Sequence, residues 1–366
     1  MKIALAYDRV NKWGGAERVL LALHEIWPKA PLYTSVYNPK TASWAKGLEV
    51  IPSSLNKFPL AKTWHEAYAC LMPFAFESFT FDDFDVVISV TSESAKGIIT
   101  KPKTLHLCYC LTPTRYLWSG YQDYFRAPFF KLVSSPLVAY LRKWDQIAAQ
   151  RPDDYLAISK NVQKRIKNYY QRKATVIYPP VDTERFKPKP SQDFQKYFLV
   201  VSRLVPYKRI DIAVKAFNQL GLPLKVVGVG SDLKRLKRMA RKNIEFLGRL
   251  TDSQLLGYYQ DCRALIFPQE EDLGLVPLEV QACGRPVIAY RGGGALESVV
   301  EGKTGSFFYP QKSQALIRAV KRFRPEDYDS AWCRQNAIKF GKQIFKQTIK
   351  AFIEKKWQKH QKTFTC

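Results

Sequence analysis

The stretch ALIFPQEEDLGLVPLEVQACGRPVIAY, residues 264–290, decides the fold. It opens with an apolar run over residues 264–267 that is typical of a buried strand, and it then passes through an acidic loop. A helical pattern begins near Leu275, and a second apolar run covers residues 286–290. A strand, a helix and another strand in this order predict two parallel strands joined by a crossover helix.

The same alternation continues in both directions along the chain. Further strand-like runs cover residues 2–7, 85–90, 104–110, 197–202, 224–228 and 244–247. Residues 16–26 have the pattern of an amphipathic helix. A chain of 366 residues is longer than one hydrophobic core usually serves, so we expect an α/β protein with two Rossmann-like, doubly wound parallel sheets.

A proline-rich segment separates the two series of strands. In VIYPPVDTERFKPKPSQDF, residues 176–194, four prolines crowd together and both periodicities lapse, which is typical of a linker. We therefore predict one Rossmann-like domain over residues 1–185 and a second over residues 186–335. The helical segment 336–366 is expected to pack back on the first domain, and ligands are expected in a central cleft at the carboxyl ends of the strands.

The charge balance predicts a polyanionic partner. Lys and Arg number 58 against 32 Asp and Glu, which gives a formal net charge of +26. Anionic lipid headgroups, nucleic acid and phosphorylated small molecules all fit such a surplus. The segment 127–144, APFFKLVSSPLVAYLRKW, mixes aromatic and cationic residues and favours a helix lying on an anionic membrane, whereas no aromatic and basic nucleic-acid module is visible.

The cysteines and the N-terminus bear on location. Seven scattered cysteines without a CxxC spacing predict neither a disulfide framework nor a metal site. The N-terminal MKIALAYDRV resembles a strand and not a signal peptide, and no apolar run reaches membrane-spanning length. We expect a cytoplasmic protein peripherally associated with the inner face of the cell membrane.

Two glutamates in the acidic segment are candidates for ligand binding. Glu271 lies in the loop and Glu279 lies on the helix, with seven residues between them. Gly274 and Leu275 present free backbone N–H groups at the helix start, which is a natural anion site. One carboxylate can bind a ribose while the other reaches a second polyhydroxylated ring, so the arrangement suits a sugar diphosphonucleoside.

Two cations follow the first strand of the second domain. In VSRLVPYKRID, residues 201–211, Arg203 and Lys208 flank a short loop containing Pro206. Their position at the carboxyl end of a strand directs both cations to the predicted cleft. A guanidinium and an ammonium together suit a diphosphate leaving group whose negative charge grows as its bond breaks.

The acidic segment resembles the Glu-x7-Glu signature of the family 4 retaining glycosyltransferases, which have two Rossmann-like domains in the GT-B arrangement. The resemblance covers nearly the whole chain, and it implies that the domain 1–185 binds the acceptor and the domain 186–335 binds the sugar nucleotide. Besides the acidic segment and VSRLVPYKRID, it rests on three motifs in the order seen in proteins similar to O-antigen mannosyltransferases: GGAERVL at 14–20, AISKNVQKRIKNYY at 157–170 and VIYPPVD at 176–182.

The resemblance implies a role for each candidate residue. Glu271, Lys208 and Arg203 would be the catalytic residues, with Glu271 on the donor hexose and the two cations on the diphosphate. The implied donor-binding residues are Glu279 on the ribose, with Gly274, Leu275, Gly14 and Gly15 supplying close backbone contacts.

One position departs from the family pattern, and one acidic tripeptide resembles the metal-binding motif of another fold. Leu111 stands where many relatives have a histidine near the donor sugar, so a histidine-dependent step is not expected here, while Arg115 nearby remains a possible cleft residue. The tripeptide Asp83-Phe84-Asp85 has the DxD form that binds a divalent cation in another glycosyltransferase fold. There the carboxylates follow a strand, whereas here they precede one, so we interpret the tripeptide as the boundary between a loop and a strand. No cofactor and no essential metal are expected.

The resemblance implies a retaining hexosyltransferase for cell-surface polysaccharide assembly, such as lipopolysaccharide. By resemblance the donor would be GDP-mannose or another nucleotide sugar, and the acceptor a lipid-linked glycan or glycolipid. A UDP-hexose donor is one alternative. A basic protein that binds nucleic acid or sugar without catalysis is another, from a different class.

Overall fold

A computed structural model describes residues 1–124, 128–189 and 197–364. Residue 127 of the segment 127–144, residues 190–194 of the proline-rich segment and residues 365–366 of the helical segment lie outside these ranges. The chain divides into two compact units, each built on one parallel β-sheet. Unit 1 comprises Met1–Pro180 with Phe345–Cys366, and unit 2 comprises Val181–Ile344.

Unit 1 contains a seven-stranded sheet in the order β3-β2-β1-β4-β5-β6-β7. The strands are β1 Ile3–Tyr7, β2 Leu32–Thr34, β3 Val50–Pro52, β4 Val86–Thr91, β5 Leu105–Cys110, β6 Asp154–Ala157 and β7 Ala174–Val176. The helices are α1 Gly15–Ile26, α2 Met72–Glu77, α3 Tyr121–Tyr124, α4 Pro128–Ala148 and α5 Lys160–Tyr170. β1 and β4 are buried along their whole length because helices cover both faces of such a sheet, which explains their continuous apolar sequences.

Unit 2 contains a six-stranded parallel sheet in the order β10-β9-β8-β11-β12-β13. Its strands are β8 Phe198–Val201, β9 Leu224–Val227, β10 Ile244–Gly248, β11 Leu265–Phe267, β12 Val287–Tyr290 and β13 Gly305–Phe308. The helices that begin in it are α6 Ile210–Leu220, α7 Leu233–Met239, α8 Asp252–Asp261, α9 Leu275–Ala282, α10 Ala295–Ser298, α11 Ser313–Arg322, α12 Ser330–Ile338 and α13 Lys342–Lys362. Both sheets have the doubly wound strand order.

The last helix completes the core of unit 1. Phe345, Ile349 and Ile353 of α13 are 2%, 0% and 0% exposed, and they share a core cluster with Val19 and Leu23 of α1. A spacing of four residues places the three side chains on one face of α13. The end of the chain therefore packs against the helix that follows its first strand.

The unit boundaries fall after Pro180 and Ile344, whereas the sequence places them after residues 185 and 335. Backbone hydrogen bonds account for the difference. The N–H of Val181 donates to Phe340 and its carbonyl accepts from Lys342, so both segments stay within unit 2.

His106 makes the stability of unit 1 depend on pH. It is fully buried on β5, and its Nε2 lies 2.8 Å from Ser89 Oγ. Burial, with further contributions from the guanidinium groups of Arg151 and Arg172, lowers its pKa to about 3. An unfolded histidine titrates near about 6.5. As the pH falls from about 6.5 towards 3, the unfolded chain therefore takes up a proton that the folded chain excludes, and folding stability is lost.

We expect His106→Gln to flatten this acid dependence, because glutamine retains a polar group for Ser89 but does not titrate. As the pH falls from about 6.5 to about 4, the unfolding free energy of the wild type should decrease relative to that of the variant by about 1.4 kcal/mol per pH unit. Urea denaturation at a series of pH values measures it. Parallel curves for the two proteins would show that His106 contributes nothing to the acid sensitivity.

Candidate functional site

The strand order of unit 2 reverses between β8 and β11, which are neighbours in the sheet. Open α/β sheets bind ligands beyond the carboxyl ends of the strands at such a switch point. The loop after β8 carries Arg203 and Lys208, and the loop after β11 carries Glu271. The topology therefore brings the predicted cations and the first predicted carboxylate to the same edge of the sheet.

Lys208 and Glu271 form an ion pair at this edge. Lys208 ends a short 3-10 turn, Pro206–Lys208, and its Nζ donates to Oε1 of Glu271. The side chain of Lys208 is 6% exposed and that of Glu271 is 23% exposed. In these partly desolvated surroundings the two charges interact more strongly than on an open surface, so the pair fixes the ammonium group of Lys208 at the edge where a ligand would enter.

Arg203 lies on the exposed side of the same loop. Its Nη2 donates to the hydroxyl of Tyr207 at 2.6 Å, and the ring of Tyr207 is 5.1 Å from Nζ of Lys208. Tyr207 thus contacts both cations. Since Arg203 is exposed, its guanidinium group can reach an anion that approaches from solvent.

Glycines after β12 hold the loop of Glu271. The N–H of Gly294 donates to the carbonyl of Glu271 at 2.8 Å. A Cβ atom on Gly293 would lie 2.4 Å from that carbonyl oxygen, and one on Gly294 would lie 2.2 Å from Cα of Leu273. Only glycine permits this approach, so the run Gly292–Gly294 acts as the support of the acidic loop.

Glu279 lies in the helix that follows the acidic loop. α9 begins at Leu275, as predicted, and Gly274 precedes it with a φ of 84°, in the region that favours glycine. Glu279 is 3% exposed, and its Oε2 accepts a hydrogen bond of 2.8 Å from the hydroxyl of Tyr259. Glu279, the residue predicted to bind the ribose, is therefore a buried carboxylate positioned by a tyrosine of α8.

Two glycines after β9 belong to the same edge and were not predicted. A Cβ atom on Gly228 would lie 1.8 Å from the carbonyl oxygen of Ser202, and one on Gly230 would lie 2.2 Å from that of Leu204. The loop of Arg203 thus packs directly against the backbone of the segment Gly-Val-Gly. That segment stands immediately after a strand, which is the signal that could have revealed it.

Gly14, Gly15 and Arg115 belong to unit 1. Gly14 precedes α1 in an extended conformation, and Gly15 is the first residue of that helix, so both follow β1 at the switch point between β1 and β4. Arg115 is half-buried in the loop after β5, where its carbonyl accepts from the N–H of Gly120 at 2.8 Å. These residues form part of the edge of the first sheet.

A buried acidic group at the edge of unit 1 escaped prediction. Asp8, at the end of β1, is 3% exposed and accepts hydrogen bonds from Thr91 Oγ1 at 2.8 Å, Ser92 N at 2.7 Å and Ala95 N at 2.9 Å. Burial raises the pKa of this carboxyl. Asp8 therefore ties the end of β1 to the loop after β4.

A second buried network joins that loop to α4. Nζ of Lys96 donates to Oδ1 of Asp145 at 2.5 Å, and both side chains are almost completely buried, at 2% and 1% exposure. Asp145 also accepts from Thr114 Oγ1 at 2.8 Å and from Trp118 Nε1 at 2.7 Å. The carboxylate thus connects α4 to the loops that follow β4 and β5.

The acidic tripeptide before β4 has a structural role at one of its carboxylates. Asp85 accepts from the backbone N–H of Lys2 at 2.6 Å and lies 3.6 Å from the N-terminal ammonium group. Within the described ranges, no three His, Cys, Asp or Glu side chains are grouped so as to hold a metal ion.

Two Rossmann-like parallel sheets in one chain are the architecture of the GT-B glycosyltransferases, and the structural neighbours include proteins described as glycosyltransferases. Residues 181–340 match the model of the family described as glycosyl transferases group 1. The fold class and the family resemblance predicted from the sequence are both confirmed.

Similar proteins include mannosyltransferases. The GDP-mannose-dependent alpha-(1-6)-phosphatidylinositol monomannoside mannosyltransferase of Mycolicibacterium smegmatis is 33% identical over 170 residues, which cover 39% of this chain and 44% of that protein. The O-antigen chain mannosyltransferase C of Escherichia coli is 27% identical over 222 residues, or 56% of this chain and 58% of that protein. The chain thus spans about half the length of the curated relatives that it matches.

Solved structures match over nearly the whole chain. HepE of Anabaena, crystallised in complex with UDP, superposes with a TM-score of 0.73 at 18% identity and covers 97% of this chain and 100% of that chain. At this identity the similarity establishes the fold alone.

Proposed function

We propose that this protein transfers a hexose from a nucleotide diphosphate sugar to a hydroxyl group of an acceptor. The observation that carries the proposal is the Lys208–Glu271 pair at the switch point of unit 2, within the segment that matches the glycosyl transferases group 1 model. An ion pair alone is common in proteins. This pair, however, lies where parallel sheets bind ligands, beside the exposed Arg203 and the start of α9, which follows a glycine. Two cations and the N–H groups of a helix start are the groups that bind the diphosphate of a nucleotide sugar.

The proposed roles follow from these positions. Lys208 and Arg203 would neutralise the diphosphate as it leaves, and the N–H groups at the start of α9 would add to this stabilisation. Glu271 would then exchange part of its contact with Lys208 for a hydroxyl of the donor hexose. Glu279, already oriented by Tyr259, would accept hydrogen bonds from the ribose.

We further propose that transfer retains the anomeric configuration by a front-face route. In this route an oxygen of the departing diphosphate takes the proton of the acceptor hydroxyl, while the protein supplies orientation and charge stabilisation. No residue of the motifs is a convincing covalent nucleophile. Proton NMR of the first product formed tests the stereochemistry, since an inverted anomeric centre would exclude this mechanism.

The donor we favour is GDP-mannose, without an essential metal. The names of the M. smegmatis and E. coli relatives, both mannosyltransferases, support mannose, and the first of them names GDP-mannose. The UDP bound in HepE supports the second candidate, a UDP-hexose. We propose a lipid-linked glycan or glycolipid as acceptor, in cell-surface polysaccharide assembly.

Thermal-shift measurements with GDP, UDP, ADP and their hexose conjugates test the donor proposal. A ligand present at about one hundred times its Kd stabilises the folded state by about 2.7 kcal/mol, which corresponds to a rise in Tm of several degrees. We expect GDP-mannose to give the largest rise, with no added divalent cation. An equal absence of shift with every conjugate would contradict a nucleotide-sugar site.

Glu279→Gln is expected to weaken donor binding by about tenfold to a hundredfold, because a neutral amide loses charge-assisted hydrogen bonds to the ribose. The amide oxygen can still accept from Tyr259, so the fold should persist. Glu245→Gln is the matched control, since Glu245 lies on β10 with a side chain that is 61% exposed. Isothermal titration with the donor distinguishes the two variants, and equal affinities would remove Glu279 from the site.

A further inference from the structure

Unit 1 exposes large apolar side chains in two short segments, 58–74 and 132–147, which we call the apolar surface. In the first segment these are Phe58, Leu60, Trp64 and Phe74, which are 45%, 67%, 68% and 60% exposed. In the second they are Leu132, Val133, Leu137, Tyr140 and Ile147, which are 74%, 62%, 41%, 45% and 54% exposed. Single exposed apolar residues are ordinary, but concentrations of this kind mark an interaction surface.

Most of the exposed apolar side chains of the second segment lie on one face of a helix. Val133, Leu137, Tyr140 and Ile147 share one face of α4, because their spacings of four, three and seven residues follow the helical repeat. A different face of the helix, with Val138 and Leu141, is buried at 4% exposure. α4 therefore has one apolar face for the core and another directed to solvent.

The two segments are neighbours in unit 1. Ala69 packs against the cluster formed by Leu117, Val138 and Leu141. At the end of α2, Oε1 of Glu77 accepts from Trp144 Nε1 of α4 at 2.8 Å. The segment that carries Trp64 and the helix that carries Leu137 thus pack together within unit 1.

The charges beside the apolar surface are mainly positive. Lys57, Lys62 and Lys143 are exposed. Over residues 57–74 and 131–147 the acidic residues are Glu66, which is exposed, and Asp145, which is buried against Lys96. The exposed charge beside the apolar side chains is therefore mainly positive, in keeping with the net charge of +26.

We propose that the apolar surface docks on an anionic lipid bilayer, with its apolar side chains at the boundary between headgroups and acyl chains and its lysines on the headgroups. Amphipathic helices with this combination of residues lie in the membrane interface, and Trp and Tyr favour that depth. Among the described residues, no helix has the length and apolarity to cross a bilayer. Nucleic acid would bind the lysines through its phosphates, but that interaction does not explain the exposed Leu and Val side chains.

The proposal goes beyond the transfer reaction and does not rest on it. Co-sedimentation with vesicles tests it, using phosphatidylcholine alone and phosphatidylcholine mixed with phosphatidylglycerol, at low and high salt. We expect binding to the mixed vesicles that weakens with salt. The double variant Lys62→Gln/Lys143→Gln should reduce the partition coefficient by more than about tenfold, because each lysine near the membrane contributes a factor of about five.

The apolar contribution is tested by Trp64→Ser and Leu137→Gln, both at exposed positions where the folded state should tolerate polar groups. Each should reduce vesicle binding several-fold, even at high salt. Trp332→Ser is the matched control, because Trp332 is 50% exposed but lies in unit 2. Circular dichroism and Tm verify that every variant is folded.

Three results would overturn the proposal. The first is no binding to the mixed vesicles. The second is binding that Trp64→Ser and Leu137→Gln leave unchanged, and the third is self-association that Leu137→Gln abolishes in gel filtration, which would assign the surface to a second copy of the chain. Donor turnover is not the readout, so any of these outcomes leaves the proposed transferase activity to be judged separately.

Discussion

Lys208→Ala and Glu271→Ala are each expected to lower the turnover number by at least about two orders of magnitude, the scale observed when one preorganised charge or donor is removed from a transition state. Lys208→Ala removes the positive charge that would meet the departing diphosphate. Glu271→Ala removes the carboxylate that would accept a hydrogen bond from a donor hydroxyl. It also leaves Lys208, which is largely buried, without its partner. Initial rates of sugar transfer, with donor and acceptor varied separately, measure both effects.

A purely structural ion pair would also make these variants deficient, through instability. The double variant Lys208→Met/Glu271→Leu separates the explanations, since replacing both partners by apolar groups of similar size commonly restores stability. We expect its Tm to approach that of the wild type while turnover stays low. Recovery of turnover in the double variant, or full turnover in both single variants, would remove this pair from the mechanism.

Asp145→Ala should have the largest effect on stability, because it leaves the buried ammonium group of Lys96 without its counterion and removes the acceptor of Thr114 and Trp118. Breaking a buried ion pair on one side costs about 3–5 kcal/mol. Urea denaturation followed by circular dichroism measures the loss.

The matched control is Asp82→Ala. Asp82 pairs with Lys101, but their side chains are 42% and 66% exposed, and such surface pairs contribute at most about 1 kcal/mol. If the two variants lost similar amounts of stability, the network around Asp145 would have no special importance for unit 1.

Sequence reasoning located the strands that are apolar along their whole length. β4 and β11, for example, are buried on both faces of a parallel sheet, and this produces continuous apolar runs that are easy to recognise. Strands such as β3 and β7 were missed because each has three residues that are not fully buried. Neither length nor composition distinguishes such segments from loops.

The positions of the candidate site residues followed from topology, but their partners did not. Lys208 and Glu271 were expected at one edge because both follow strands. Their direct contact depends on the loop conformations, which in turn depend on the left-handed conformation of Arg209 and on the hydrogen bond from Gly294 to Glu271. The Lys96–Asp145 pair joins residues 49 positions apart, and no local pattern reveals such a pairing.

The return of α13 to unit 1 has a consequence for biosynthesis. Unit 2 is continuous in sequence over Val181–Ile344, whereas unit 1 draws on both ends of the chain. Domains fold as units while the ribosome extends the chain from its N-terminus. The first sheet must therefore wait, with part of its apolar covering absent, until Phe345, Ile349 and Ile353 have been synthesised, so the half of the protein that emerges first is the half that matures last.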